Sequence, residues 1–132
     1  MRTLLDTHTW LWWVGEDRKL SSRARTAIES GQRGADLWVS MISIWELAKK
    51  IEKKQLVLDR PLNQWLDVAT TMPGLHLADL TRPILVESCA LPQPFLGDPA
   101  DQIIVATARI LNLTVLAKDD LILKYGHVKS IW

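Results

Sequence analysis

The sequence predicts an α/β fold in three layers: a mostly parallel central sheet of four to five strands, flanked by helices on both faces. Two observations carry this. Short apolar runs of strand length alternate with segments of helical length from end to end, and strands that alternate with helices pair in parallel, because each helical crossover returns the chain to the same end of the sheet. The residues that punctuate these segments are single cappers and breakers, with no linker rich in Pro, Gly or Ser and no internal repeat. Residues 1–132 therefore read as one domain, with 48% hydrophobic and 23% charged residues, the balance of folded globular chains.

Residues 2–5 form a short apolar run ending at Asp6-Thr7, both helix-capping types, and residues 8–14 stay apolar until Gly15, which reads as a strand and then a helix. Ser21 or Ser22 caps a helix through Ile28 that ends at Gly31. Leu37-Trp38-Val39 is the second strand, closing on Ser40, and a long helix follows over residues 41–54. Pro61 at a first-turn position opens a helix over residues 62–72, stopped by Pro73-Gly74, and residues 75–77 are a short third strand. Thr81 with Pro83 starts a helix to about Leu91, which Pro92 and Pro94 break, and Asp98-Pro99 starts the apolar helix over residues 103–113. Residues 114–117 are the fourth strand, Asp119 or Asp120 opens a short helix ended by Gly126, and residues 128–132 are a last edge strand.

Composition excludes several classes of protein. No apolar run approaches the roughly 20 residues that cross a bilayer, and Asp6 stands where a secretory signal would be apolar, so a soluble, cytoplasmic protein is expected. Cys89 is the only cysteine, which rules out an internal disulfide framework and a multi-thiolate zinc site; on a helix it reads as a small buried apolar residue. His8, His76 and His127 lack metal-ligand spacing and read as structural. Of the seven tryptophans most suit the core, but Trp12 and Trp13 cannot share one helix face with Trp10, so at least one of the three suits a subunit or partner contact.

The net charge of +1 says little, but its distribution says more. Asp6 lies at the carboxyl end of the first strand and Asp119 just beyond the carboxyl end of the fourth, where parallel neighbours would meet. Asp98 and Asp101 share the first turn of one helix, and Glu46 rides one to two turns up the helix after the second strand. Crowded carboxylates repel and call for a hard divalent cation. Withdrawing those five from the 15 acidic residues leaves ten against 16 basic ones, a surface that attracts a polyanion. Arg18, Lys19, Arg23 and Arg25 form one basic cluster, and Lys49, Lys50, Lys53 and Lys54 another. Plainer roles fit each acid as well. Asp6, Asp98 and Asp119 suit helix caps, Asp101 suits the positive end of a helix, and Ser43 with Glu46 has capping-box spacing. An apolar stripe of Ile44, Leu47, Ala48 and Ile51 would leave Glu46 on the outer side beside Lys50 and Lys53.

Four blocks in order tip the balance: Leu4-Leu5-Asp6-Thr7-His8-Thr9-Trp10-Leu11-Trp12, Val39-Ser40-Met41-Ile42-Ser43-Ile44-Trp45-Glu46-Leu47-Ala48, Gly97-Asp98-Pro99-Ala100-Asp101-Gln102-Ile103-Ile104-Val105-Ala106-Thr107-Ala108, and Leu116-Ala117-Lys118-Asp119. Together they span the chain and resemble the PIN-domain family, in particular the VapC-type ribonuclease toxins of prokaryotic toxin–antitoxin pairs. The resemblance implies a PIN-like fold and a metal-dependent endoribonuclease. Asp6, Glu46, Asp101 and Asp119 would be its catalytic residues and hold Mg2+ or Mn2+, with Asp98 auxiliary. It also implies an RNA substrate, a VapB-like antitoxin whose carboxy-terminal segment lies in a groove by the acidic site, and a homodimer. Ala117 stands where the family often has Thr or Ser, and Gln102 where Arg is common. Two other readings keep the fold: an RNA-processing nuclease without a toxin role, and a partner-binding module without catalysis, against which the intact quartet argues. A phosphatase of the haloacid dehalogenase class would need a second aspartate where this chain has His8.

Overall fold

The computed structural model describes residues 1–132. In chain order the elements are β1 (Thr3–Leu5), α1 (Thr7–Val14), α2 (Ser22–Arg33), β2 (Leu37–Ser40), α3 (Met41–Glu52), α4 (Leu62–Ala69), β3 (Leu75–Ala78), α5 (Arg82–Ser88), α6 (Pro99–Leu111), β4 (Thr114–Leu116), α7 (Asp120–Lys124) and β5 (Ser130–Ile131). The five strands form one sheet in the order β3-β2-β1-β4-β5, and every pair is parallel.

Strand β1 lies at the centre, with Leu5 opposite Val39 on β2 and Leu116 on β4. Because successive strand residues face opposite ways, Leu5, Leu37, Val39 and Leu116 enter one core cluster, which Trp10, Ile28, Leu47 and Trp65 complete. Leu4 and Val115 enter the other, with Phe95, Ile104 and Val105. Trp10 is fully buried; its indole N–H donates to the Ala69 carbonyl (3.2 Å) and its ring meets Trp65 edge-on at 5.1 Å. The chain moves from β1 to β2 on one side, while β4 adds on the other. A crevice therefore opens between β1 and β4 beyond their carboxyl ends, where such sheets bind ligands.

Strands end where caps begin. Ser40 closes β2 and caps α3 through its hydroxyl, which accepts the Ile42 N–H, so Ser43 is free of the capping box its spacing to Glu46 suggests. Helix α2 continues through Gly31 to Arg33: Gly31 is buried, and a Cβ there would come within 3.2 Å of the Leu37 side chain, so its smallness serves helix–strand packing and not termination. Gly74 is required by its backbone, with φ +78 and a Cβ position only 2.6 Å from the Gln32 carbonyl oxygen. Helix α5 stops at Ser88, three residues before the expected end, which leaves Cys89 exposed rather than buried. On α3 the inward residues are Ser43 and Leu47 while Ala48 is exposed, so the helix is turned from the orientation its apolar stripe suggests, and Glu46 and Lys50 are half-buried. No helix is long and apolar enough to cross a membrane.

Candidate active site

Three helices start at the crevice, and an aspartate begins each. Asp6 follows β1 with an extended backbone, and one carboxylate oxygen accepts the Thr7 N–H at 2.8 Å, starting α1. Asp98 accepts the Asp101 N–H at 2.8 Å and starts α6, with Pro99 in its first turn. Asp119 accepts the Leu121 N–H at 2.9 Å and starts α7. In each case one oxygen caps and the second carries no hydrogen bond, so capping leaves an oxygen free to face the crevice. Asp101, one turn into α6, sits near the positive end of that helix.

Glu46 reaches the crevice from α3, held by a buried hydroxyl chain. The Thr7 hydroxyl donates to a Glu46 carboxylate oxygen (2.5 Å) and lies 2.8 Å from the Ser43 hydroxyl. Thr7 has a single hydroxyl proton, so Ser43 must donate to Thr7. This chain explains why α3 turns Ser43 inward and why Glu46 leaves solvent instead of pairing with Lys50.

Asp6, Glu46, Asp98, Asp101 and Asp119 line one open cavity of about 350 Å³, together with His8, Trp12, Lys50 and Lys118. The tightest group is Glu46, Asp98 and Asp101, which offer carboxylate oxygens all within 4.8 Å of one another. Asp98, given an auxiliary place by the resemblance, belongs to this trio although it is exposed, while Asp6, which is buried, and Asp119 stand on the β1 and β4 side of the same cavity. A larger cavity of about 540 Å³ opens beside it, with Leu11, Trp12, Val14, Trp65 and Val68 as its apolar wall and Asp17, Lys19, Asp59 and Arg60 as charged lining, and with Trp12 shared between the two.

The electrostatics are those of carboxylates without a counter-ion. Burial, against the opposing help of the Thr7 N–H and reinforced by Glu46, Asp119 and Asp98, pushes the Asp6 carboxyl up to about 7. Burial and then the charges of Asp6, Asp98, Glu46 and Asp119 push Asp101 up to about 8. Glu46 is also raised by burial, although the Thr7 hydroxyl and Lys50 pull it back. Burial and the neighbouring Lys50 lower His8, so its ring is neutral at pH 7. An all-oxygen donor set of this kind fits a hard divalent cation, whose charge would offset the mutual repulsion.

Sequence reasoning assembled the five acids but passed over their supports. Thr7 read only as a helix capper and Ser43 only as a capping-box residue, since their hydroxyls meet only once α1 crosses α3. His8 and Lys118 stand within two residues of Asp6 and Asp119, a proximity that could have marked them. The His76 Nε2–H donates to the Ala35 carbonyl and its ring packs on Trp38, and His127 lies against Tyr125; neither reaches the crevice.

An all-parallel sheet in the order 3-2-1-4-5, with carboxylates converging beyond β1 and β4, defines an α/β protein with an acidic, cation-attracting cleft. The PIN domain family model matches residues 3–128. The chain is 33% identical over 128 residues to Ribonuclease VapC22 of Mycobacterium tuberculosis (strain ATCC 25618 / H37Rv), covering 97% of this chain and 95% of that protein. It belongs to the PIN-domain family. Among solved structures it is similar to VapBC2 from Rickettsia felis bound to a DNA fragment from their promoter (TM-score 0.73, 15% identity, 99% of this chain and 98% of that one). It is also similar to a toxin–antitoxin complex from Klebsiella pneumoniae (TM-score 0.67, 18% identity, 98% and 96%). At these identities the likeness to the two structures is one of fold.

Proposed function

We propose that this protein is a divalent-metal-dependent endoribonuclease, the toxin of a toxin–antitoxin pair, and that Asp6, Glu46, Asp101 and Asp119 with Asp98 hold Mg2+ or Mn2+. The observation that carries the reading is the convergence of five carboxylates in one cavity at the β1 and β4 ends; the 33% identity to a ribonuclease supports the substrate class. A divalent cation in such a site supplies activation of water and stabilisation of charge on the phosphate in the transition state. The chain's own groups do the rest. The Thr7 hydroxyl orients Glu46, and the helix caps fix one oxygen each of Asp6, Asp98 and Asp119, so the carboxylates meet the loaded state with little reorganisation. Asp6 and Asp101, whose carboxyls are raised to about 7 and about 8, release their protons as the cleft is loaded. Lys50 and Lys118 on the rim attract the phosphates on either side of the scissile bond. Hydrolysis adds water at phosphorus and frees the 3′ oxygen.

Two partners belong to the same reading. A VapB-like antitoxin would lay an apolar segment in the 540 Å³ cavity and pass a basic side chain over Trp12 into the acidic one. A second copy of the chain would cover the exposed apolar residues Leu80, Leu85 and Val86 at α5. The reducing cytoplasm suits an RNA-cleaving enzyme with an exposed free cysteine.

The test is incubation of purified protein with mixed single-stranded and structured RNAs in Mg2+, Mn2+ or chelator, beside Asp101→Asn and Glu46→Gln. Cleavage that needs the metal and disappears in both variants is expected. Equal traces from wild type and variants, or no cleavage of any RNA with either metal, would overturn the enzyme assignment.

A further inference from the structure

Trp45 is the one tryptophan that the fold leaves exposed, with 55% of its surface in solvent. The others are all engaged: Trp10 and Trp65 in the core, Trp12 and Trp132 edge to face, Trp38 on His76, and Trp13 against the first core cluster. Trp45 sits on α3 one residue before Glu46, and the helix sorts its neighbours into two lines. Glu46 and Lys50 face the acidic cavity. Trp45, Lys49 and Lys53 follow the next line round, Lys49 about 6 Å and Lys53 about 12 Å further along the axis.

These residues line a second cavity of about 290 Å³, closed on its far side by Pro99 and Ala100 of α6, and it shares Glu46, Lys50 and Asp98 with the acidic one. The Lys49 ammonium lies 5.7 Å from the centre of the Trp45 ring and is paired with Glu52 at 2.8 Å; Lys53 has no ion-pair partner. An acidic cleft by itself repels a phosphate chain, so a polyanion needs a positive approach, and Lys49 and Lys53 line the cavity that adjoins the cleft through Glu46, Lys50 and Asp98. An exposed indole beside lysines is the arrangement that stacks an unpaired base while its phosphates are held. A duplex keeps its base faces covered and cannot use it.

We propose that α3 carries a platform for single-stranded RNA beside the acidic cleft: one base stacks on Trp45, and the phosphates next to it lie on Lys49 and Lys53. The platform selects unpaired RNA and feeds the strand to the cleft from the Glu46 side. It rests on the nuclease reading for its biological sense, but binding can be measured apart from cleavage.

The full chain carrying Asp101→Asn serves as the parent, with a fluorescein-labelled single-stranded oligoribonucleotide and a blunt duplex of equal length as probes, read by anisotropy. The parent should prefer the single strand. Adding Trp45→Ala should weaken single-strand binding about 5- to 150-fold, the range for removal of one base–aromatic stack, and Trp45→Phe should restore most of it. Lys49→Gln with Lys53→Gln should flatten the slope of log affinity against log salt by roughly 0.7 for each phosphate that the protein no longer neutralises. Single-strand affinity within twofold of the parent in Trp45→Ala overturns the platform, whether or not the wild-type protein cleaves RNA. So does a parent that does not bind single strands, or a Trp45→Ala protein that loses self-association in sedimentation while its RNA affinity is unchanged, which would make this face an interface between copies. Trp45-dependent binding by a protein whose wild type cleaves nothing would uphold the platform and overturn the nuclease reading alone.

Discussion

Replacing Asp6 by Asn removes a charge that the fold accommodates poorly while keeping an oxygen to accept the Thr7 N–H. Asp6 is 5% exposed and its carboxyl is raised from 3.8 to about 7, with burial as the main cause. In the unfolded chain the same group ionises near 3.9. Between those values the unfolded state has lost its proton and the folded state still holds it. The wild type without metal is therefore most favoured, as far as this group is concerned, below pH 4, and loses stability as pH rises toward 7. The displacement corresponds to roughly 4 kcal/mol at 1.36 kcal/mol per pH unit, an upper bound that relaxation and water entry would cut to roughly 2–4 kcal/mol. His8, lowered by burial, works in the opposite sense but is common to both proteins and cancels in the difference. Urea unfolding in chelator from pH 4 to 9 should show Asp6→Asn overtaking wild type by that margin at pH 8. Adding Mg2+ should stabilise the wild type at pH 8 and the variant much less. A variant less stable than wild type at pH 8 in chelator, or a wild type that gains stability relative to the variant from pH 4 to 7, would refute the account of the cleft as a set of uncompensated carboxylates.

Thr7→Val should cost roughly 1–3 kcal/mol in urea unfolding by stranding Ser43 and Glu46, and Thr7→Ser should recover most of it. Asp98→Ala should lose about 1 kcal/mol through the α6 cap, whereas Asp98→Ser should keep the cap; both should weaken Mn2+ binding in calorimetry to a similar degree, since both remove the charge. Gly74→Ala should destabilise by more than about 1 kcal/mol in thermal melts, because its φ of +78 and the Gln32 carbonyl 2.6 Å from the new methyl both oppose it. Trp10→Ala should cost roughly 3–5 kcal/mol by emptying the site against Trp65, and a loss below about 1 kcal/mol would contradict the packing described.

Local chemistry along the chain was enough for the alternation of strands and helices, their parallel sense, and the cappers Asp6, Thr81 and Asp98, with Ser21 and Asp119 read to within one residue, because caps and breakers act within one turn. Strand ends and first turns suggested a meeting of the five acids, but the resemblance to PIN-domain proteins was what assigned Glu46 and Asp101 to the site. Two local signals misled: Gly31 lies buried inside α2, where Leu37 occupies the space beside its missing Cβ, and Cys89 is exposed at the end of an α5 that stops at Ser88. The rotation of α3 could not be read from its apolar stripe. It is set by a hydroxyl on α1, 36 residues away from Ser43 in the chain, and that hydrogen bond turns Glu46 from a surface residue into a cleft residue. The same rotation leaves Trp45 outside. Strand order has the same character. Periodicity can say that β1 and β4 are strands, but their adjacency, and with it the meeting of Asp6 and Asp119, depends on which edges pair once both sheet faces are covered, a property of the whole core and of no single segment.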